Sequence, residues 1–209
     1  MRKFFAIILL ILCHSIYCQE YQFDYMSTYD YRLNEKDKAV EKFIFLANSK
    51  TEDYLLRVLI KNDSIKYSSL IDFSKNMEYQ IGNFKLDIES INNIEIVKIK
   101  PLKVEHCDDY TNKYNVEYVN INGVDVIKIK RYKNKRKTKL INECVLYTKK
   151  SDIKNQYYSF PPLIFPLHCD KFKLETDKII TEGNFLEDDK EFHFYKLIDI
   201  KQVDLKIKI

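Results

Sequence analysis

Apolar and polar positions follow three different patterns along this chain. The first is an unbroken apolar run, Phe4 to Leu12, set between the basic start Met1-Arg2-Lys3 and the polar break Cys13-His14-Ser15. Such a run suits an export signal and falls well short of the ~20 residues that a membrane-spanning helix needs. Residues 1–18 therefore read as a cleaved leader, with Ile16 and Cys18 in the two places that prefer small side chains and Gln19 as the new first residue. Ser15 and Tyr17 stand where a lipidation signal carries Leu and a small residue, so no lipid anchor is expected at Cys18.

The second pattern is alternation. Tyr21, Phe23 and Tyr25 alternate with Gln22, Asp24 and Met26, which predicts a half-buried strand with its aromatic residues on one side. Strand-like runs follow at Tyr54 to Ile60, Ile65 to Phe73, and Met77 to Ile88 with Gly82 as an interruption. Another lies within Ile94 to Val104, where Pro101 disrupts it. Tyr114 to Ile121 and Val124 to Tyr132 flank Asn122-Gly123, the strongest short-range hairpin signal, because both central positions of that turn need positive φ. Lys133-Asn134-Lys135 turns the chain into Thr138 to Thr148. Glu191 to Ile200, and then Val203, Leu205, Ile207 and Ile209 alternating with polar residues, predict two terminal strands.

The third pattern is ambiguous. Val40, Phe43, Ile44 and Ala47 fit a helical period, but the aromatic and β-branched content of Val40 to Leu46 favours a strand. Ser151 can cap a short helix toward Tyr158, ahead of the apolar stretch Phe160 to Leu167 with its three prolines. Together these elements predict a mostly β domain of roughly ten strands with at most one or two short helices. It would be an antiparallel meander forming an open half-barrel or sandwich over residues 19–209. Lys and Asp break most of the strands within the ~9–11 residues over which an outer-membrane barrel must stay apolar.

Composition adds limits rather than a function. Loss of residues 1–18 lowers the formal charge from +4 to +2, which gives no global signal for nucleic acid. Three glycines, at 82, 123 and 183, are too few for a phosphate-cradling loop, and no nucleophile-elbow or zinc-protease motif is present. The aromatic first strand, the Lys-, Asn- and Ile-rich hairpins and the terminal Lys-Ile-Lys-Ile resemble small secreted proteins of Bacteroidota, many of them uncharacterised. Some of those are similar in fold to periplasmic lipoprotein carriers, so the resemblance implies a half-barrel that can hold acyl chains; it assigns no functional residue here.

Candidate chemistry is sparse. His106, Cys107, Cys144, His168 and Cys169 are of the residue types that bind zinc or copper, but neighbours in a strand point to opposite faces. The plainer expectation is one disulfide among Cys107, Cys144 and Cys169, with one thiol left over and no metal or other cofactor. The paired acids Asp108-Asp109 and Asp188-Asp189 are the only hint of carboxylate hydrolysis, and both read as turns. A basic tract is clearer: Lys128, Lys130, Arg131, Lys133, Lys135, Arg136, Lys137 and Lys139 lie within twelve residues that hold no acid. It suits an anionic surface, and export argues against nucleic acid as the partner. Phe160, Leu163 and Phe165 offer an apolar contact or a plug.

The sequence thus predicts a non-enzymatic exported domain, periplasmic or extracellular, that binds a protein or lipid-like partner in the envelope or serves there as a structural module. A carrier or sensor of an acyl-chain ligand comes second and a hydrolytic enzyme third.

Overall fold

The computed structural model describes residues 19–32, 41–82, 94–102, 113–152, 178–187 and 190–209. They form eleven strands: β1 (Glu20–Arg32), β2 (Glu41–Asn48), β3 (Thr51–Lys61), β4 (Ser64–Asp72), β5 (Met77–Ile81), β6 (Ile96–Pro101), β7 (Tyr114–Ile121), β8 (Val124–Tyr132), β9 (Leu140–Lys150), β10 (Lys178–Glu187) and β11 (Lys190–Lys208). All are antiparallel neighbours in one open sheet, ordered β6-β5-β4-β3-β2-β1-β11-β10-β9-β8-β7. No helix occurs among the described residues. The fold is therefore all-β, as the patterning predicts; the region expected to hold a helix, 151–158, lies almost wholly outside the described residues.

The order follows simply from chain direction. β1 and β11 pair in the middle, where Gln19 and Ile209 exchange two backbone hydrogen bonds of 2.9 Å. β2 to β6 extend the sheet on one side and β10 to β7 on the other. Laid flat, eleven strands would set the edges about 48 Å apart. Leu102 and Lys113 flank the connection between the two edge strands, and the eleven peptide steps between them reach at most about 38 Å. The sheet is therefore curved.

Two apolar clusters lie on its faces. The first runs across nine strands and includes Tyr29, Tyr31, Phe43, Phe45, Leu55, Ile127, Leu146, Phe185 and Tyr195. The second joins Tyr21, Phe23, Ile44, Leu46, Leu56, Val58, Leu70, Tyr79, Leu205 and Ile207. Consecutive residues of β2 and β3 feed opposite clusters, as period-2 geometry requires. Burial of each large side chain contributes about 1.5–3 kcal/mol, so both clusters are substantial.

The two long central strands change sides. Tyr21 and Phe23 belong to the second cluster but Tyr29 and Tyr31 to the first, and the ladder with β11 is interrupted between Phe23 and Tyr25 and again between Thr28 and Tyr29. The expected alternation over Tyr21 to Met26 fails at its end, where Met26 joins the cluster of Tyr21 and Phe23 instead of facing away from it: a bulge re-aims the side chains beyond it and bends the strand. The bend folds the start of β1 over strands several places away. Tyr21 packs edge-on against Tyr54 of β3 and donates a 2.8 Å hydrogen bond to Asp72 at the end of β4.

Other differences have local causes. The two strands expected at the C-terminus are one strand of 19 residues, because Lys201 and Gln202, polar in sequence, stay paired with Met26 and Tyr25. β5 stops at Ile81, and a Cβ on Gly82 would stand 3.0 Å from Val97 Cγ1, so a larger residue there would press on β6. The turn after Tyr132 extends to Lys139 rather than closing at Lys135. The Asn122-Gly123 turn is as expected, with φ of 52° and 84°.

Candidate functional site

Three surfaces carry chemistry. The first interrupts the first cluster. In β3, Arg57 stands between Leu55 and Leu59, opposite Phe45 of β2 and Ser69 of β4. Its Nε donates to Ser69 Oγ at 2.9 Å, and its Nη2 donates to Tyr67 Oη at 3.1 Å and to Glu78 Oε1 at 3.0 Å. The Tyr67 hydroxyl donates to the same carboxylate, and Lys100 stands 4.0 Å from its other oxygen. Burial opposes ionisation of Glu78, yet Tyr67 and Arg57 outweigh it and hold the carboxyl below its usual range. A charged pair only 14–17% exposed thus sits beside an aromatic wall.

That wall continues on the central strands. The Tyr31 ring lies 4.8 Å from Tyr195 and 5.3 Å from Phe43, and its hydroxyl is 2.7 Å from His193 Nδ1. Burial lowers the His193 pKa, which favours the neutral imidazole. Ser27, opposite Phe45, is fully buried, and its hydroxyl has no hydrogen-bond partner among the described residues.

The second surface is the pair of sheet edges. Of the seven large apolar side chains exposed among the described residues, Val97 and Ile99 belong to β6, and Tyr118, Ile121 and Val124 to the β7–β8 hairpin. Apolar exposure is therefore concentrated at the edges. Along β7 the only charge is Glu117, with no Lys or Pro to discourage a further strand.

The third surface is basic. Lys128, Lys130 and Arg131 lie within β8, where Lys130 reaches Glu117 at 3.4 Å. Lys133, Lys135, Arg136, Lys137 and Lys139 are all exposed on the loop between β8 and β9. The structure thus divides the basic tract into a strand part, partly paired, and a loop part.

A polar depression of about 480 Å³ is lined by Asp24, Lys50, Asp152 and Gln202 among others. Its Asp24 is already engaged, accepting from Ser49 N at 2.7 Å and from the Ser49 hydroxyl.

Of the five residues weighed as metal ligands, only Cys144 is described. It is a free thiol, fully buried on β9, and burial raises its pKa well above the ordinary value, which disfavours the thiolate. This removes Cys144 from the expected disulfide; the other two cysteines weighed for it, Cys107 and Cys169, lie outside the described residues. His106, Cys107, His168, Cys169, Phe160, Leu163, Phe165 and the acids at 108–109 and 188–189 lie outside the described residues. No group of three or more His, Cys, Asp or Glu able to hold a metal occurs among the described residues. Sequence reasoning missed Arg57 and Glu78; the available signal was one charge inside the apolar run Tyr54 to Ile60.

Comparison of the chain with protein-family models yields no match, and none of the curated proteins matches it.

Proposed function

We propose that the protein is a non-enzymatic exported binding module that takes its partner at an open edge of the sheet. The observation that carries this reading is the distribution of apolar surface: both clusters are buried, while the apolar side chains left exposed concentrate on β6 and the β7–β8 hairpin. An edge strand offers unpaired backbone groups, and alternate side chains give selectivity when an extended segment of a partner adds to it. The test is a pull-down from envelope extract with wild type, Tyr118→Lys and Val119→Lys. Edge binding predicts a partner captured by wild type, lost with both edge variants and retained by a variant of the basic loop. Capture unaffected by the edge changes would overturn the reading.

A second reading is favoured by one observation of its own, an apolar face continuous across nine strands of a curved, open sheet. That arrangement suits a carrier of an acyl-chain ligand. Native and denaturing mass spectra separate the two. An adduct of several hundred daltons that is lost on denaturation supports the carrier, and a bare mass supports the edge module.

A further inference from the structure

We infer that the β8–β9 loop, residues 133–139, is a docking site for the anionic phospholipid surface of a bilayer. The loop has a defined shape. Lys133 N donates to Lys139 O at 2.8 Å and closes its base; Lys137 N donates to Asn134 O at 3.1 Å. The Asn134 side chain bonds to Thr138 through both its amide nitrogen and its oxygen. Lys137 has a left-handed backbone, φ 55°. The frame holds five exposed cations and no acid.

Charge density distinguishes this loop among the described residues: five exposed cations in seven positions, 133–139, with no acid between them. Some lysines elsewhere lie beside carboxylates, as Lys61 does at Glu41, Lys178 at Asp125, and Lys206 and Lys208 at Glu20. Lys133, Arg136, Lys137 and Lys139 have no carboxylate partner among the described residues. Leu140, immediately after the loop, is 45% exposed, which sets an apolar side chain beside the cations. Cations around an exposed aliphatic residue match the headgroup layer of a membrane, where phosphates meet the first methylenes. A bare polyanion would use the charge and leave the leucine idle.

The test is co-sedimentation of the purified protein with vesicles. Wild type should bind phosphatidylcholine vesicles containing about one-third phosphatidylglycerol, and ignore pure phosphatidylcholine. Each cation near such a surface changes partitioning roughly fivefold. The fourfold variant Lys133→Ser/Arg136→Ser/Lys137→Asn/Lys139→Ser should therefore lose binding by several hundredfold. Leu140→Ser should weaken binding without altering its salt dependence. Raising salt well above ~0.1 M, where the screening length is already only ~10 Å, should release the wild type. An unchanged circular dichroism spectrum checks that the fourfold variant folds. Should it not, protection of the loop lysines of wild type from an amine-reactive label by anionic vesicles makes the same decision. Equal vesicle binding by a folded fourfold variant, labelling unaffected by vesicles, or heparin binding that is as tight and indifferent to Leu140 would each overturn the proposal. The last outcome would mark the loop as a general polyanion site.

Discussion

Strands β2 to β4 and strands β8 and β9 belong to the same sheet but are buried in different ways. In β2 the six residues Phe43 to Asn48 are all buried, and in β4 so are the five from Ser68 to Asp72. In β9 burial alternates, with Cys144, Leu146 and Thr148 buried and their neighbours half-exposed. In β8, Ile127 and Ile129 are buried while Lys128 and Lys130 are not. The difference arises at the bulges. They let β1 and β11 fold their paired ends over β3 to β5 and create the second cluster on that side of the sheet alone. A continuous run of buried residues records two apolar layers; an alternating one records a single layer.

The largest test of that contrast is cavity formation. Phe45→Ala and Leu56→Ala should each lose about 3–5 kcal/mol, because layers on both faces hold the strand in place and keep the void open. Leu146→Ala, equally buried, should lose about 2–3 kcal/mol, because a strand with one solvated face can move into the space. Equilibrium urea unfolding measures all three. Equal losses would mean that the two halves are packed alike despite their burial patterns.

The charged pair gives the next largest effect. Glu78→Gln or Arg57→Met should each lose about 2–3 kcal/mol, the cost of a stranded buried charge reduced for partial exposure. The double variant Arg57→Met/Glu78→Leu should return to within ~1 kcal/mol of wild type if the pair is structural. A double variant that stays stable yet loses an acyl-chain adduct would instead give Arg57 a place in ligand binding.

These tests also show what the sequence could and could not reveal. Hairpins were legible because Asn122-Gly123 is a local instruction, and the strands beside it alternate with one solvated face. The two-layer half was not. Bulges at Phe23/Tyr25 and Thr28/Tyr29 come from pairing with β11, some 170 residues away, and period-2 reading along β1 has no access to them. The same limit hid the site: Glu78 becomes a partner for Arg57 only once β3, β4 and β5 lie side by side. The basic tract was legible as charge, but its division into a strand part, where Lys130 reaches Glu117, and an exposed loop part depends on β7 pairing with β8.

Acid separates the two clusters by a smaller effect. Burial lowers the His193 pKa from an ordinary 6.5, so the unfolded chain binds the proton more readily, and stability should fall as pH drops through about 6.5. His193→Gln, which can still hydrogen-bond Tyr31, should flatten that slope. Asp72, which anchors Tyr21 in the second cluster, is also shifted down, but there the charged form is the one favoured. Burial opposes its ionisation, but bonds from Ser74, Tyr21, Lys75 N and Gln19 prevail and hold its carboxyl below the ordinary 3.8. Its contribution is complete above that value and is lost only as pH falls below it, and Asp72→Asn should remove that late loss. Urea midpoints between pH 7 and 3 should show both steps. A first step that survives in His193→Gln would place its origin elsewhere.

The smallest expected effects are at two turns of the same shape, one in each half. Asn62-Asp63 joins β3 to β4 with φ of 50° and 55°, and Asn122-Gly123 joins β7 to β8 with φ of 52° and 84°. Both are left-handed at both central positions, but only the second uses glycine where that conformation is free of strain. Gly123→Ala should therefore destabilise by about 1 kcal/mol through the backbone alone, since nothing lies within 4 Å of the added Cβ. Asp63→Gly should stabilise by about 0.5 kcal/mol, the relief of strain exceeding the added freedom of the unfolded chain. In a domain of this size these changes move the melting temperature by about 1–4 °C in opposite directions. If Asp63→Gly lowered it instead, the Asp63 side chain would be supporting the turn, and the two-layer half would depend on its turns more than its core suggests.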